Sequence, residues 1–472
     1  VGINVIVPFF FNEHLYGNKC INVYYKMRRR NLLGNKSGGD IGYLKLIAKG
    51  SGTFKFSGST SGSSANTVQY STNSGVTWST ASSSITISVT NGQTVLFKGT
   101  CTPYLRKGVG RFSASTNFDV EGNIMSLLYG DAFEGETSLS GKEYTFYGLF
   151  SGCTYLKSVE NLLLPAKTLA DSCYDSMFDG CTRITTAPNL PAKTLADSCY
   201  GYMFRDCSSL TTAPKLPATT LAISCYNHMF YGCSSLTTAP NLPAKTLADN
   251  CYSGMFYGCS SLTTAPKLPA TTLAIGCYDD MFYNCSSLTT APTLSATTLA
   301  NRCYSYMFRD CSSLTTAPKL PATTLANRCY SGMFYNCTSL TTAPSLPVTT
   351  LADSCYSYMF YNCSSLTTAP KLPATTLAIG CYDDMFYNCT SLTTAPSLPA
   401  TTLADSCYDS MFDGCIKLNY VKCLATDISA TNCTRKWVYN VSSSGTFVKA
   451  ASMSSWTTGI NGIPNGWTVQ NA

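Results

Sequence analysis

The stretch Leu195-Ala-Asp-Ser-Cys-Tyr-Gly-Tyr-Met-Phe-Arg-Asp-Cys-Ser-Ser-Leu-Thr-Thr-Ala-Pro-Lys-Leu-Pro-Ala-Thr-Thr220 decides the fold, because the chain copies it. Cys-Tyr recurs with a period of 26, at Cys173, Cys199, Cys225, Cys251, Cys277, Cys303, Cys329, Cys355, Cys381 and Cys407. A second cysteine follows eight positions later each time, from Cys181 to Cys415. The two series hold 20 of the 25 cysteines. Ten copies at a fixed period indicate a solenoid rather than several independent globules. The length of 472 residues then reflects how often one unit was copied, not a domain count.

Each unit divides physically. Leu195, Cys199, Met203 and Cys207 are four apart, with Phe204 beside Met203. That spacing predicts an apolar stripe on a helix of about three turns. Ser208-Ser209 suits a turn. Leu210 to Leu216 reads as a short extended segment, because Thr favours strand and Pro214 pushes Ala213 into an extended conformation. Pro217 breaks the chain before the next helix. One unit cannot bury its own stripe, but stacked copies can. The expected fold is an α/β solenoid of 26-residue units, with a parallel sheet on one face and helices on the other. At roughly 4.7–4.9 Å per strand, ten units make a sheet about 50 Å long.

Composition narrows the function. With 44% hydrophobic residues the chain is not wholly disordered, and 12% charged is about half the usual share. The net charge of +7 is uneven, and residues 151–418 sum to −2. That balance predicts no nucleic-acid partner. No run approaches the ~20 apolar residues of a membrane span. The two histidines, His14 and His228, lie in unlike contexts, which excludes repeated histidine chemistry. No phosphate loop, His-Glu-x-x-His or nucleophile elbow is present. Asp279-Asp280 and Asp383-Asp384 recur as repeat variants on a solvated face. The reading is a non-enzyme with no cofactor and no metal.

The tract Met-Phe-x-x-Cys-Ser-Ser-Leu-Thr-Thr-x-x-x-Leu-Pro resembles the BspA-like leucine-rich-repeat proteins. Residues 203–217 and 359–373 carry it, and 281–294 carry it with Ser295 in place of the closing proline. Phe204, Cys207, Leu210, Leu216 and Pro217 are the matching positions. The added Cys-Tyr departs from the family pattern by about one helical turn. The resemblance covers roughly 145–418. Residues 437–469 also look like the tail that closes many such chains. The resemblance implies a leucine-rich-repeat solenoid, right-handed, and adhesion to a host or bacterial surface protein or glycan, at the cell surface or secreted. Similar chains look at home in phages of gut bacteria as host-contact fibres. Met27-Arg-Arg-Arg30 before a small β domain looks like that group. A structural spacer is the third reading. Oligomeric state is left open.

The ends of the array differ from its middle. Segments 43–47, 53–56, 67–70, 85–89 and 94–97 read as strands, with a turn at Asn73-Ser-Gly75. They predict a small N-terminal all-β domain over 41–102, a β-sandwich. Residues 103–172 read as degenerate repeats and a cap, 173–418 as the array and 419–472 as a C-terminal cap. Residues 1–40 form a separate N-terminal segment. The chain begins at Val1; the favoured reading starts translation at Met27, with residues 1–26 as upstream read-through or an incomplete gene end, and the other reading is a processed or truncated chain.

Three features are candidates for chemistry. Cysteines eight apart on a helix sit about 12 Å apart, beyond disulfide reach. Small, free core thiols are the favoured reading, bridges between adjacent units stay open, and zinc spacing does not match. Cys423 and Cys433 are candidates for a local bridge. The second feature is variation beside the stripe: Tyr202, Arg205 and Asp206, then His228 and Tyr231, then Asp280 and Tyr283, then Tyr306, Arg309 and Asp310. They read either as a modular binding face, since Tyr and Arg favour recognition, or as drift at exposed positions. The third is the ladder of Thr211-Thr212, Thr237-Thr238 and their equivalents, read as strand propensity or as a polar contact surface.

Overall fold

The computed structural model describes residues 42–58, 68–81, 84–100, 110–454 and 456–472. The segment 1–40, with the expected start at Met27, lies outside them, as do Cys20 and Cys101.

The array is a stack of coils, but the expected helices are not there. The only α-helix among the described residues is one turn, Ser126–Tyr129. The stripe 195–207 is instead a ribbon of tight turns. Its odd-numbered N–H groups donate three residues back: Cys199 to Ala196, Gly201 to Ser198, Met203 to Tyr200, Arg205 to Tyr202 and Cys207 to Phe204. Its even-numbered N–H groups cross to the next coil: Ser198 to Ile223, Tyr200 to Cys225, Tyr202 to Asn227, Phe204 to Met229 and Asp206 to Tyr231. Every fourth residue has positive φ, with Ser198 at 51°, Tyr202 at 51° and Asp206 at 56°. A left-handed residue every four positions resets the turn and prevents helix propagation. The spacing of four is shared by helix and ribbon, so the stripe alone does not distinguish them.

The residue before each second cysteine carries the distinguishing signal. It is Gly180, Asp206, Gly232, Gly258, Asn284, Asp310, Asn336, Asn362, Asn388 and Gly414, all with positive φ. Gly, Asn and Asp are the residues that tolerate this region.

The extended segments are also sparser than a sheet. They meet only at isolated parallel bridges, such as Thr186 to Thr212, Thr264 to Thr290 and Thr194 to Thr220. Pro214 and Pro217 lack the N–H that a longer ladder needs.

The core is built from vertical columns. Cys199, Tyr200, Met203, Phe204, Cys207 and Leu210 are buried, as are their equivalents along the array. Tyr rings stack from Tyr174 to Tyr408 and Phe rings from Phe150 to Phe412, with neighbouring centroids such as Tyr200–Tyr226 at 5.8 Å and Phe178–Phe204 at 5.5 Å. Trp437 continues the Tyr column at 6.2 Å from Tyr408.

The cysteines are buried and free throughout the described residues. Each second-column thiol donates to a carbonyl of the preceding coil, as Cys207 Sγ to Phe178 at 3.1 Å and Cys233 Sγ to Phe204 at 3.1 Å. Burial pushes the Cys173, Cys225 and Cys415 thiols up to about 12, far from the reactive thiolate. The candidate bridge between Cys423 and Cys433 is absent. Cys433 falls 26 residues after Cys407 and extends the first column, and its thiol donates to the Ile428 carbonyl at 3.3 Å.

Two sheets precede the array. In the larger one, β1 (Leu44–Ala48) lies between β6 (Thr94–Gly99) and β8 (Phe118–Asn123), and β3 (Val68–Ser71) and β4 (Ser79–Ala81) extend the β6 side. The smaller places β2 (Gly52–Ser57) between β5 (Ser84–Val89) and β7 (Arg111–Ala114). Strand pairing thus carries past residue 102, into residues read from sequence as degenerate repeats. β8 also pairs in parallel with β9 (Leu156–Ser158) and β10 (Leu162–Leu163), so the first coils add directly to this sheet. Gly122 makes that crossing tight: with φ of 84°, a Cβ there would lie 1.9 Å from the Tyr43 carbonyl oxygen. At the far end β11 (Tyr420–Cys423), β12 (Thr446–Lys449) and β13 (Thr468–Asn471) form a parallel sheet. Asn461 and Gly462 cover the last ribbon, accepting from the Lys436 N–H and the Trp437 indole.

Candidate functional site

The ribbon brings its variable residues into two half-buried columns. Positions 205, 231, 257, 283, 309, 335, 361 and 387 form one of them, reading Arg205, Tyr231, Tyr257, Tyr283, Arg309, Tyr335, Tyr361 and Tyr387. Tyr231 stacks on Tyr257 at 4.5 Å and Tyr257 on Tyr283 at 4.1 Å. The Arg309 guanidinium is held between two rings, 4.8 Å from Tyr283 and 4.6 Å from Tyr335. Tyr335, Tyr361 and Tyr387 then stack at 4.4 Å per step. Centroids closer than the buried ones mean that these rings lean together over the coil surface.

The second column is Tyr202, His228, Gly254, Asp280, Tyr306, Gly332, Tyr358 and Asp384. Tyr202 stacks on His228 at 5.1 Å, and His228 lies 5.7 Å from Tyr231, so the columns touch. Gly254 and Gly332 make room for the preceding rings. A Cβ at Gly254 would come within 2.5 Å of the His228 ring, and one at Gly332 within 2.2 Å of the Tyr306 ring. Burial keeps the His228 imidazole below its ordinary range.

All ten sequence candidates thus fall on this ribbon. Arg205 is committed to Asp179 through two hydrogen bonds of 2.8 and 2.6 Å, and its guanidinium lies 5.3 Å over Tyr202. Asp206 and Asp310 occupy left-handed positions, so the backbone accounts for their residue type before any ligand does. Tyr257, Tyr335, Tyr361 and Tyr387 were not among the candidates. They sit at the same register as Tyr231, and the 26-residue period would have found them. At the start of the column, Arg111, Tyr147, Asp175, Asp179, Tyr202 and Arg205 line a cavity of about 410 Å³.

The paired acids are tuned by burial. Burial, then the neighbouring Asp279, lifts Asp280 to about 7, and burial lifts Asp175 to about 6. Asp383 and Asp384 are raised for the same first reason. A carboxyl held above its unfolded value of about 3.9 stabilises the fold fully below that value. This contribution is lost as pH rises through the folded value. The melting temperature should therefore rise on acidification from about pH 8 to about pH 5. Asp280→Asn should flatten part of that slope. A melting temperature that falls steadily over this window would contradict the assignment.

Among the described residues, no group of three or more His, Cys, Asp or Glu is placed to hold a metal ion. None of their helices is long and apolar enough to cross a membrane.

The sequence pattern described as "BspA type Leucine rich repeat region (6 copies)" matches residues 144–263, 201–357, 249–392 and 320–434, more than half of the chain. The chain belongs to the BspA-type leucine-rich-repeat family. BspA-type repeat proteins are typically surface-located or secreted, and typically non-enzymatic binding scaffolds. No curated protein sequence matches the chain significantly. Among solved structures, "Crystal structure of TLR13-ssRNA13 complex" is similar at 10% identity and a TM-score of 0.24, covering 62% of this chain and 50% of that one. This chain spans half the length of that structure, and so low a score carries no argument about ligand or partner.

Proposed function

We propose that this BspA-type chain is a non-catalytic recognition protein, surface-exposed or secreted, adhering to a surface protein or glycan of host or bacterial cells. The observation that carries this reading is the tyrosine column interrupted by Arg309. Tyr and Arg dominate binding hot spots because they offer large contact area with few rotatable bonds. Here each ring is already ordered by its neighbours, so little side-chain freedom is lost on contact. Repetition along a stiff stack adds avidity when the ligand also repeats.

The test is binding of the purified chain to arrays of matrix proteins and glycans. Tyr257→Ala together with Tyr361→Ala should weaken the strongest interaction by roughly thirtyfold for each ring the ligand touches, from about 2 kcal/mol per hot-spot ring. The melting temperature serves as the folding control. A folded double variant that binds like the parent would remove the column from recognition. Absence of any ligand would favour a spacer.

A further inference from the structure

The array separates its charges by segment, which its net charge conceals. Between Cys173 and Cys415 all 14 acidic residues lie on the ribbon or just before it, from Asp175 to Asp413. The six lysines there, Lys193, Lys215, Lys245, Lys267, Lys319 and Lys371, all lie in the threonine-bearing extended segments. All six are exposed, and none makes an ion pair among the described residues.

Their spacing is regular. Lys215, Lys267, Lys319 and Lys371 occur every 52 residues, once per two coils, and Asn241, Thr293 and Ser345 occupy the coils between. Parallel bridges at Thr212 and Thr220 pin the same segments to the coil below. With coils roughly 4.8 Å apart, the charges repeat at roughly 10 Å. Exposed threonine hydroxyls flank each lysine of this series, as Thr211 and Thr212 on one side of Lys215 and Thr219 and Thr220 on the other. Lys193 and Lys245 take the place of Thr219 on intervening coils, followed by Thr194 and Thr246.

We propose that this lysine and threonine face docks a linear anionic polysaccharide along the solenoid axis. A polymer with one acidic group per disaccharide places its charges two sugars apart, close to the two-coil step. Its hydroxyls meet the threonine rows. Nucleic-acid phosphates, about 3.4 Å apart along a strand, are too dense for this step. The absence of acids on the face removes competition for the lysines. The face is separate from the tyrosine column, and the proposal stands whether or not that column binds anything.

The experiment uses the full chain on immobilised hyaluronan, which has one carboxylate per disaccharide, and on heparin, with dextran and single-stranded DNA as comparisons. Lys215→Gln, Lys267→Gln, Lys319→Gln and Lys371→Gln are combined in one variant. The control carries the same charge change at the exposed residues Lys49, Lys55, Lys417 and Lys436. The column variant should bind roughly tenfold more weakly than the control, with a shallower salt dependence. Longer oligosaccharides should bind the parent more tightly. Retention on hyaluronan supports the two-coil charge match, and retention on heparin alone would overturn it. Equal behaviour of the two variants, or equally tight DNA binding through the same lysines, would overturn the proposal. The Tyr257 and Tyr361 variant should keep its polyanion retention, so this result is independent of the recognition column.

Discussion

Phe282→Ala should destabilise the array by about 3–5 kcal/mol, the range for emptying a buried aromatic site. Phe282 is fully buried, and its ring lies 5.6 Å from both Phe256 and Phe308. Truncation removes the buried ring and two stacking contacts, worth about 0.5–1.5 kcal/mol each beyond burial. The void cannot collapse easily, because the Phe282 N–H remains tied to the Met307 carbonyl at 2.9 Å. In a solenoid each coil touches only its neighbours, so a weak coil divides the stack. Denaturant unfolding should therefore split from one transition into two, while Phe282→Leu keeps one. A midpoint and cooperativity unchanged in Phe282→Ala would refute the column as the source of stability.

Asn284→Val should cost about 2 kcal/mol although the side chain is exposed. Asn284 has a φ of 56°, and the left-handed region costs an L-residue about 1–2 kcal/mol, more for a β-branched one. Asn284→Gly should be neutral or slightly stabilising. An α-helix would give the opposite order at this position, with Gly the worst and Val tolerated. The two variants, compared by urea midpoint, therefore decide between ribbon and helix. Val neutral and Gly destabilising would restore the helix.

That contrast marks where sequence reading stopped. The period, the coil as a unit, the buried stripe and the free thiols were legible, because a residue type recurring every 26 positions reports a demand made by every coil. The secondary structure of the stripe was not. Leu195, Cys199, Met203 and Cys207 satisfy a helix and a turn ribbon equally, since both return a side chain to one face every four residues. The deciding residues were the plain Gly, Asn and Asp before each second cysteine. In sequence Asp206 and Asp310 look like surface variation, whereas all ten answer to backbone φ. The ten candidate side chains share one ribbon, yet the stacking that orders them is invisible in the sequence. Stacking depends on residues 26 apart in sequence becoming neighbours in space.

The sequence by itself determined that one unit is copied into a solenoid and which side chains fill its core, because composition and period are local properties of the chain. Only the tertiary structure decided that the cross-coil hydrogen bonds replace a helix, since half of the ribbon's N–H groups find their acceptors one coil away. It also decided that tyrosines and lysines form separate columns, because a column exists only once the coils are stacked.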